Sequence, residues 1–379
     1  MAQIKIFFYV QHLLGIGHWQ RALFLCQALH NQGFQICLAS GGMSPDHPQI
    51  GKFNFVQLPP VRSLDHTFKT YVDGRDQPIN ELWKKTRQEI LIKKLKDFNP
   101  HIIIIEHFPF GRHFFEFELI PFLDQASSQK NKPKILCSVR DILLPTTNPK
   151  KILKTLCFIK NYFNYILVHG DPNFITLEQT FPDTKTFHHK IIYTGYITNP
   201  NYSFIPLKSL QRHKEIIISA GGGGASLKLF QCALQAKKIS KFKNYTWRFF
   251  IGSFISEQHR NMIKSYQSSD MIFERFGNNF YQHLQEGFCS ISQAGYNTTL
   301  DLLQAKIPSL VIPFMEKNES EQMIRAKIFE KFGFLHILHE DDLTPLSLAQ
   351  SLDHLPQEIP DILINLQGIP NTINFIKSM

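Results

Sequence analysis

The chain has 379 residues, 43% of them hydrophobic and 19% charged, enough for conventional cores in two or three domains and too little charge for a disordered chain. Forty-one basic against 31 acidic residues leave a formal charge of +10. That suits anionic partners (nucleotide phosphates, a pyrophosphate-linked lipid, an acidic membrane surface or nucleic acid), although a solvated basic surface explains most single lysines equally well. The six cysteines form no C-x-x-C pair and sit mostly in apolar runs, so buried thiols are expected in place of disulfides or zinc.

Ile4 to Val10 reads as a buried strand, without the basic start and cleavage site of a signal peptide, and no window has the length of a membrane span. A cytoplasmic location is expected, with peripheral contact to the inner membrane face left open. Gly15-Ile-Gly17-His18-Trp-Gln-Arg21 follows, opening a helix from His18 to Gln32 that stops at Gly33. Two glycines let backbone approach a ligand, and a helix N-terminus favours an anion. The third glycine of a dinucleotide fingerprint and the Lys-Ser/Thr of a P-loop are both missing. Phe34 to Ala39 is a strand, Glu81 to Phe98 a helix, and His101 to Ile105 a strand so apolar that both faces must be buried. Lys134 to Val139 and Tyr165 to His169 repeat the pattern. Three of these strands run into loops rich in acid–base groups: Glu106-His107 with Arg112, Arg140-Asp141 after Ser138, and Asp171 after His169. Loops at the C-terminal ends of parallel strands are where open α/β sheets bind ligands. His18, at the same edge, has the chemistry of a general base. A capping or structural histidine, and structural ion pairs for the loop residues, are the competing readings.

Thr198 to Lys214 is polar and contains proline, a linker composition. A second strand series follows: Glu215 to Ser219, Thr246 to Ile251, Met271 to Arg275, Phe288 to Ile291 and Ser309 to Ile312. The first of these ends in Ser219-Ala-Gly221-Gly222-Gly223-Gly224, costly to order unless a ligand such as a diphosphate fills it. The fourth ends in Ser292-Gln293-Ala294-Gly295, before a helix that Asn297 or Thr298 is placed to cap and that carries Asp301. Glu321-Gln322 open another helix after Pro313. Asp361 to Met379 has apolar positions at helical spacing. The expected fold is α/β, two doubly wound domains with a cleft between them.

The run from Ser290 to Asp301, with Pro308, Pro313 and Glu321-Gln322 behind it, resembles the donor-binding signature of GT-B glycosyltransferases, and is most similar to family 28. Gly15–Arg21 resembles the first loop of the same fold. The segments after Ile105 and around Ser138 resemble an uncharacterised predicted-glycosyltransferase branch. The resemblance implies two Rossmann-like domains facing a cleft: an acceptor domain at 1–200, a nucleotide-sugar domain at 212–360, and a segment 361–379 crossing back to the first. It implies transfer of a sugar, most simply from a UDP-sugar, to a lipid-linked, saccharide or other hydroxyl acceptor. His18 is then the base. Ser219, Gly221–Gly224, Arg275, Phe276, Ser292, Gln293, Ala294, Gly295, Asp301, Glu321 and Gln322 face the donor, with Asp301 in a ribose role often filled by Glu. Gly15, Gly17, Arg21, Glu106, His107, Arg112, Arg140, Asp141 and Asp171 face the acceptor. No D-x-D pair or His/Cys spacing points to a metal, so a metal-independent reaction without a cofactor is expected, and no nucleic-acid partner. The alternatives are a UDP-sugar epimerase or hydrolase of the same fold, and a non-catalytic nucleotide- or nucleic-acid-binding protein.

Overall fold

Runs such as Phe7–Val10 and Ile102–Ile105 have no polar face, so each must be covered on both sides. The computed structural model, which describes residues 3–13, 15–43, 52–64, 70–202, 211–220, 224–252, 257–277, 279–314 and 321–379, meets that need with two helix-covered parallel sheets. The chain divides into two units: 1–197 with 365–379, and 198–364.

In unit 1 the elements run β1 (Lys5–Val10), α1 (Gly17–Asn31), β2 (Gln35–Ser40), β3 (Asn54–Gln57), an antiparallel pair β4 (Val61–Ser63) and β5 (Tyr71–Asp73), and α2 (Glu81–Phe98). They continue with β6 (Ile102–Glu106), α3 (Glu116–Ser127), β7 (Lys134–Arg140), α4 (Pro149–Asn161), β8 (Tyr165–His169) and β9 (Ile191–Tyr193). The seven-stranded sheet has the order β3-β2-β1-β6-β7-β8-β9. Phe7 and Tyr9 point into one hydrophobic cluster, and Ile6, Phe8 and Val10 into another, as a two-residue period requires. Helix α2 starts at the cap residue Asn80, whose side chain accepts from the Trp83 N–H, and ends at Asn99 in the left-handed region.

In unit 2 the series is β10 (Glu215–Ala220), α5 (Gly224–Ile239), β11 (Thr246–Ile251), α6 (Glu257–Lys264), β12 (Met271–Arg275) and α7 (Phe280–Glu286). Then come β13 (Cys289–Ser292), α8 (Tyr296–Ala305), β14 (Ser309–Val311), α9 (Glu321–Lys331), β15 (His336–Ile337) and α10 (Pro345–Asp353). Its sheet has the order β12-β11-β10-β13-β14-β15. Both orders reverse beside the first strand of their unit, between β1 and β6 and between β10 and β13. Outside the carboxyl ends of such neighbouring strands, doubly wound sheets leave a crevice.

The last helix, α11 (Gly368–Ser378), belongs to unit 1. It is shorter than the expected 361–379 helix: residues 361–367 have no regular secondary structure, and Leu363 is exposed. Asp171 accepts from the Asn365 N–H at 2.9 Å, and Asn371 Nδ2 donates to the Thr194 carbonyl at 2.8 Å. Ile373 and Ile376 enter the cluster that holds Trp19 and Leu23 of α1. A Cβ on Gly368 would lie 2.6 Å from Tyr196 backbone atoms, so only glycine permits this approach. Unit 1 also encloses an ion pair that sequence reading did not anticipate. Arg87 donates to both oxygens of Glu118, to Gln11 Oε1 and to the Gly41 and Pro59 carbonyls, which fills its donor positions as a buried guanidinium requires. Cys26, Cys37, Cys137 and Cys289 are buried free thiols, while Cys157 is exposed. Among the described residues no helix is long and apolar enough to cross a membrane.

Candidate functional site

Unit 1 gathers its acid–base groups where β1 and β6 part. Ile16 precedes α1 without a side-chain cap, so His18 stands in the first turn of a helix whose leading N–H groups carry positive partial charge. His18 Nδ1 lies 2.8 Å from Glu106 Oε1, at the end of β6. A carboxylate can only accept here, so Nδ1 carries the proton and Nε2 keeps its lone pair. Arg21, one turn along α1, grips the same Glu106 oxygen. Ser138 Oγ donates to the other at 2.6 Å, His169 Nε2 stands 3.0 Å from Ser138 Oγ, and His169 Nδ1 stands 2.8 Å from Thr194 Oγ1. Glu106, Ser138, His169 and Thr194 are all buried. Successive strands thus supply one polar residue each at the same sheet edge. They form a hydrogen-bonded row ending at the imidazole.

Beyond Glu106, the charged groups that bear on His18 are positive. Burial above all, then Arg140, Arg112, Arg21 and His107, holds its pKa well below the ordinary 6.5, so the ring is neutral near pH 7. The His107 ring is 5.3 Å from that of His18 and fills the space beside Gly111, where a Cβ would lie 2.5 Å from it. Arg112 donates Nε–H to the Gln11 carbonyl at 2.9 Å; burial and then the neighbouring Arg140 lower its pKa to about 10. A guanidinium whose charge is disfavoured by burial and a like-charged neighbour suits an anion beside it.

The expected acceptor set narrows accordingly. Arg21 and Glu106 are buried against each other and cannot face a ligand. Asp141 is buried, and Asp171 is occupied by the Asn173 and Asn365 N–H groups, a tether for the C-terminal segment. His18, His107, Arg112 and Arg140 keep partial exposure. Around Gly15 nothing lies within 4 Å of a Cβ position, so no packing demand explains that glycine, and Gly17 is the first residue of α1.

Unit 2 repeats the layout where β10 and β13 part. Ser219 and Ser292 are register partners on these neighbouring strands, both are buried, and among the described residues neither hydroxyl has a hydrogen-bond partner. Gly224 opens α5 just beyond, while Gly221, Gly222 and Gly223 lie outside the described residues. Gln293 and the buried Ala294 lead to Gly295, which precedes α8 with no side-chain cap. The cap expected from Asn297 or Thr298 is not made, because the helix begins earlier, at Tyr296. Gly295 has ordinary φ, and a Cβ there would meet nothing nearer than Thr298 Oγ1 at 3.9 Å. Asp301, in the second turn of α8, is pushed up to about 8 by burial. Tyr202 Oη is 3.4 Å from Asp301 Oδ2, and its ring stacks on Tyr281 at 4.0 Å with 2° between planes. Arg275 is exposed at the end of β12, and Phe276 packs on Phe250 and Phe280. At the start of α9, Glu321 is bonded to buried Arg325, and Gln322 Oε1 accepts from the Phe314 N–H at 3.1 Å. Gln322 thus ties the start of α9 back to Phe314, while Glu321 pairs within its own helix. Among the described residues no group of His, Cys, Asp or Glu is arranged to hold a metal.

Sequence reading missed the roles of Ser138, His169 and Thr194 as a row, and of Tyr202 altogether. Ser138 and His169 stood in loops already singled out. Thr194 follows β9, three residues too short to give a strand signal, and Tyr202 lies in what reads as linker.

Residues 216–366 match the glycosyltransferase family 28 C-terminal domain. Over 73% of the chain, with 22% identity, it aligns to 72% of the UDP-N-acetylglucosamine--N-acetylmuramyl-(pentapeptide) pyrophosphoryl-undecaprenol N-acetylglucosamine transferase of Thermosipho africanus. Relatives of the same name from Clostridium botulinum and Prochlorococcus marinus match over 25% and 48% of their lengths. Among solved structures, Acinetobacter baumannii MurG superposes over 99% of this chain and 100% of its own (TM-score 0.59, 14% identity). Phytolacca americana UGT2, complexed with UDP-2fluoro-glucose and pterostilbene, superposes over 99% and 93% (TM-score 0.59, 11% identity). At such identities the structures speak for the fold alone, while the domain match lies on the unit that carries the unpartnered serines and the α8 turn. With two Rossmann-like sheets and that domain in place, the chain is a family 28-like glycosyltransferase of the GT-B fold.

Proposed function

We propose that unit 2 binds a UDP-sugar and that His18 of unit 1 activates the acceptor hydroxyl. The observation that carries the donor half is the pair of buried, unpartnered hydroxyls, Ser219 and Ser292, side by side below two glycine-led helix starts. Buried polar groups without partners are rare and costly, and phosphate oxygens at a helix N-terminus would complete them. Asp301 would accept the ribose hydroxyls. For the acceptor half, the carboxylate-held, neutral His18 supports a general base. Nε2 takes the proton of the acceptor hydroxyl, its oxygen attacks the anomeric carbon, and the bond from that carbon to the diphosphate breaks. Backbone N–H groups at the glycine turns take up the charge left on the diphosphate.

Arg112 and Arg140 favour an acceptor that carries an anionic group. That fits a lipid-linked acceptor of the kind named in the Thermosipho enzyme. Peripheral contact with an anionic membrane is in keeping with α4, where Lys150, Lys151 and Lys154 surround the exposed Leu153. Isothermal titration of the full chain with UDP tests the donor half. Asp301→Ala is expected to bind roughly ten- to a hundredfold more weakly, the loss of a charge-assisted hydrogen bond. His18→Ala should leave UDP affinity intact and lower turnover about a hundredfold. An Asp301→Ala protein that binds UDP like the parent removes the donor assignment.

A further inference from the structure

Tyr202 lies outside any helix or strand, in the segment leading to β10, yet its side chain is seated inside unit 2 with unusual regularity. Its ring lies parallel to that of Tyr281, centroid to centroid 4.0 Å, and its hydroxyl points to the Asp301 carboxylate at 3.4 Å. A flat aromatic ring joined to a hydroxyl that seeks a carboxylate is the combination a nucleoside offers, with its base and its ribose. Tyr281 is buried, its own hydroxyl unpartnered, so its face is closed in this arrangement. The contact from Tyr202 to Asp301 is longer than a good O–H···O bond, so a ligand that makes shorter ones competes well for the carboxyl group, although the stack on Tyr281 and a bond to Asn199 also hold Tyr202.

We propose that Tyr202 is an intramolecular stand-in for the donor nucleoside, seated on Tyr281 and Asp301 until the nucleotide displaces it. The inference rests on the donor reading of Asp301 given above, and adds to it a stacking face, Tyr281, and a competitor built into the chain. A competitor tethered beside its site lowers apparent donor affinity by the fraction of time the site is open. Burial raises the Asp301 pKa to about 8, and the hydrogen bond from Tyr202 works against that rise. Displacement would free the Asp301 carboxyl group to bond the ribose hydroxyls.

The test is isothermal titration of UDP into the full chain and its Tyr202→Ala, Tyr202→Phe and Asp301→Ala variants. Tyr202→Ala is expected to bind UDP about fivefold or more tightly than the parent, the scale of one aromatic stacking contact. Tyr202→Phe keeps the ring and loses the hydroxyl, and should fall between the two. It also serves as the second reading should the alanine variant fold poorly. Equal or weaker binding by Tyr202→Ala overturns the proposal, since Tyr202 would then be a bystander or a wall of the bound-nucleotide site. Weakened binding by Asp301→Ala without tightening by Tyr202→Ala overturns this inference alone. No binding by any of the four proteins, or Asp301→Ala equal to the parent, takes down the donor reading and this inference with it.

Discussion

His18 needs two things to act as a base, a fixed tautomer and a free lone pair at neutral pH, and its neighbours supply them separately. Glu106 fixes the proton on Nδ1; burial and three guanidiniums keep Nε2 unprotonated. Because the pKa is held well below 6.5, kcat/KM for transfer should stay level as the pH falls from about 7.5 to about 6. A fall with a midpoint near the ordinary histidine value would show that the ring is not shielded as described. Ser138→Ala removes a hydrogen bond to the Glu106 carboxylate, worth roughly tenfold in turnover if Glu106 acts through His18, with UDP affinity unchanged. Loss of melting temperature with normal turnover would make the row purely structural. Asp301 shows the opposite sign of shift. Its folded value, near 8 against an ordinary 3.8, means that the folded chain holds a proton the unfolded chain has released. Stability from this group is therefore full below about pH 4 and declines as pH rises towards 8. Asp301→Asn should flatten the fall of melting temperature between about pH 4 and 8. A parallel fall in both proteins would place the titration elsewhere.

At the scale of single elements, α8 separates folding from binding. Gly295 has no strained φ and no crowded Cβ, so Gly295→Ala should leave the melting temperature unchanged or slightly raised. If a diphosphate sits against that turn, the same methyl group should weaken UDP by roughly tenfold. Unchanged UDP affinity would move the diphosphate away from α8. The elements themselves were largely legible in the sequence. Doubly buried strands such as β6 and β10 announce themselves by unbroken apolar runs. Reading failed where structure depends on distant partners. Nothing local marks Asp171 as a tether for Asn365, or Arg21 as the partner of Glu106 instead of a phosphate. Charged residues in a loop look alike in sequence whether they face solvent or the core. The start of α8 was misplaced because a capping side chain was sought, and this helix has none. Tyr202 was invisible for the converse reason, since a tyrosine in polar linker carries no period.

For the molecule as a whole, the two units differ in how the chain completes them. Unit 2 is one continuous stretch, 198–364, with its own cluster around Phe249, Ile291 and Leu352. A fragment of that span should melt cooperatively by circular dichroism and bind UDP within about tenfold of the full chain. Unit 1 is discontinuous. Without 365–379 it loses Ile373 and Ile376 from its core, roughly 1.5–3 kcal/mol for each buried side chain, and leaves Asp171 short of a donor. Fragment 1–197 should therefore melt markedly lower than unit 1 in the full chain, and recover when a peptide of residues 365–379 is added. Equal melting with and without the peptide would make α11 dispensable.

The return of α11 to α1 also has a consequence for biosynthesis. The ribosome delivers β1 and α1 early, but Ile373 and Ile376, which complete the cluster that holds Trp19, emerge only after all of unit 2 has been made. At about 5–20 residues per second, the nascent first unit waits some seconds to tens of seconds with part of an apolar surface uncovered. Unit 2, contiguous, can close while it is still being translated. The order of completion is then the reverse of the order of synthesis, and the half that carries His18 is finished last.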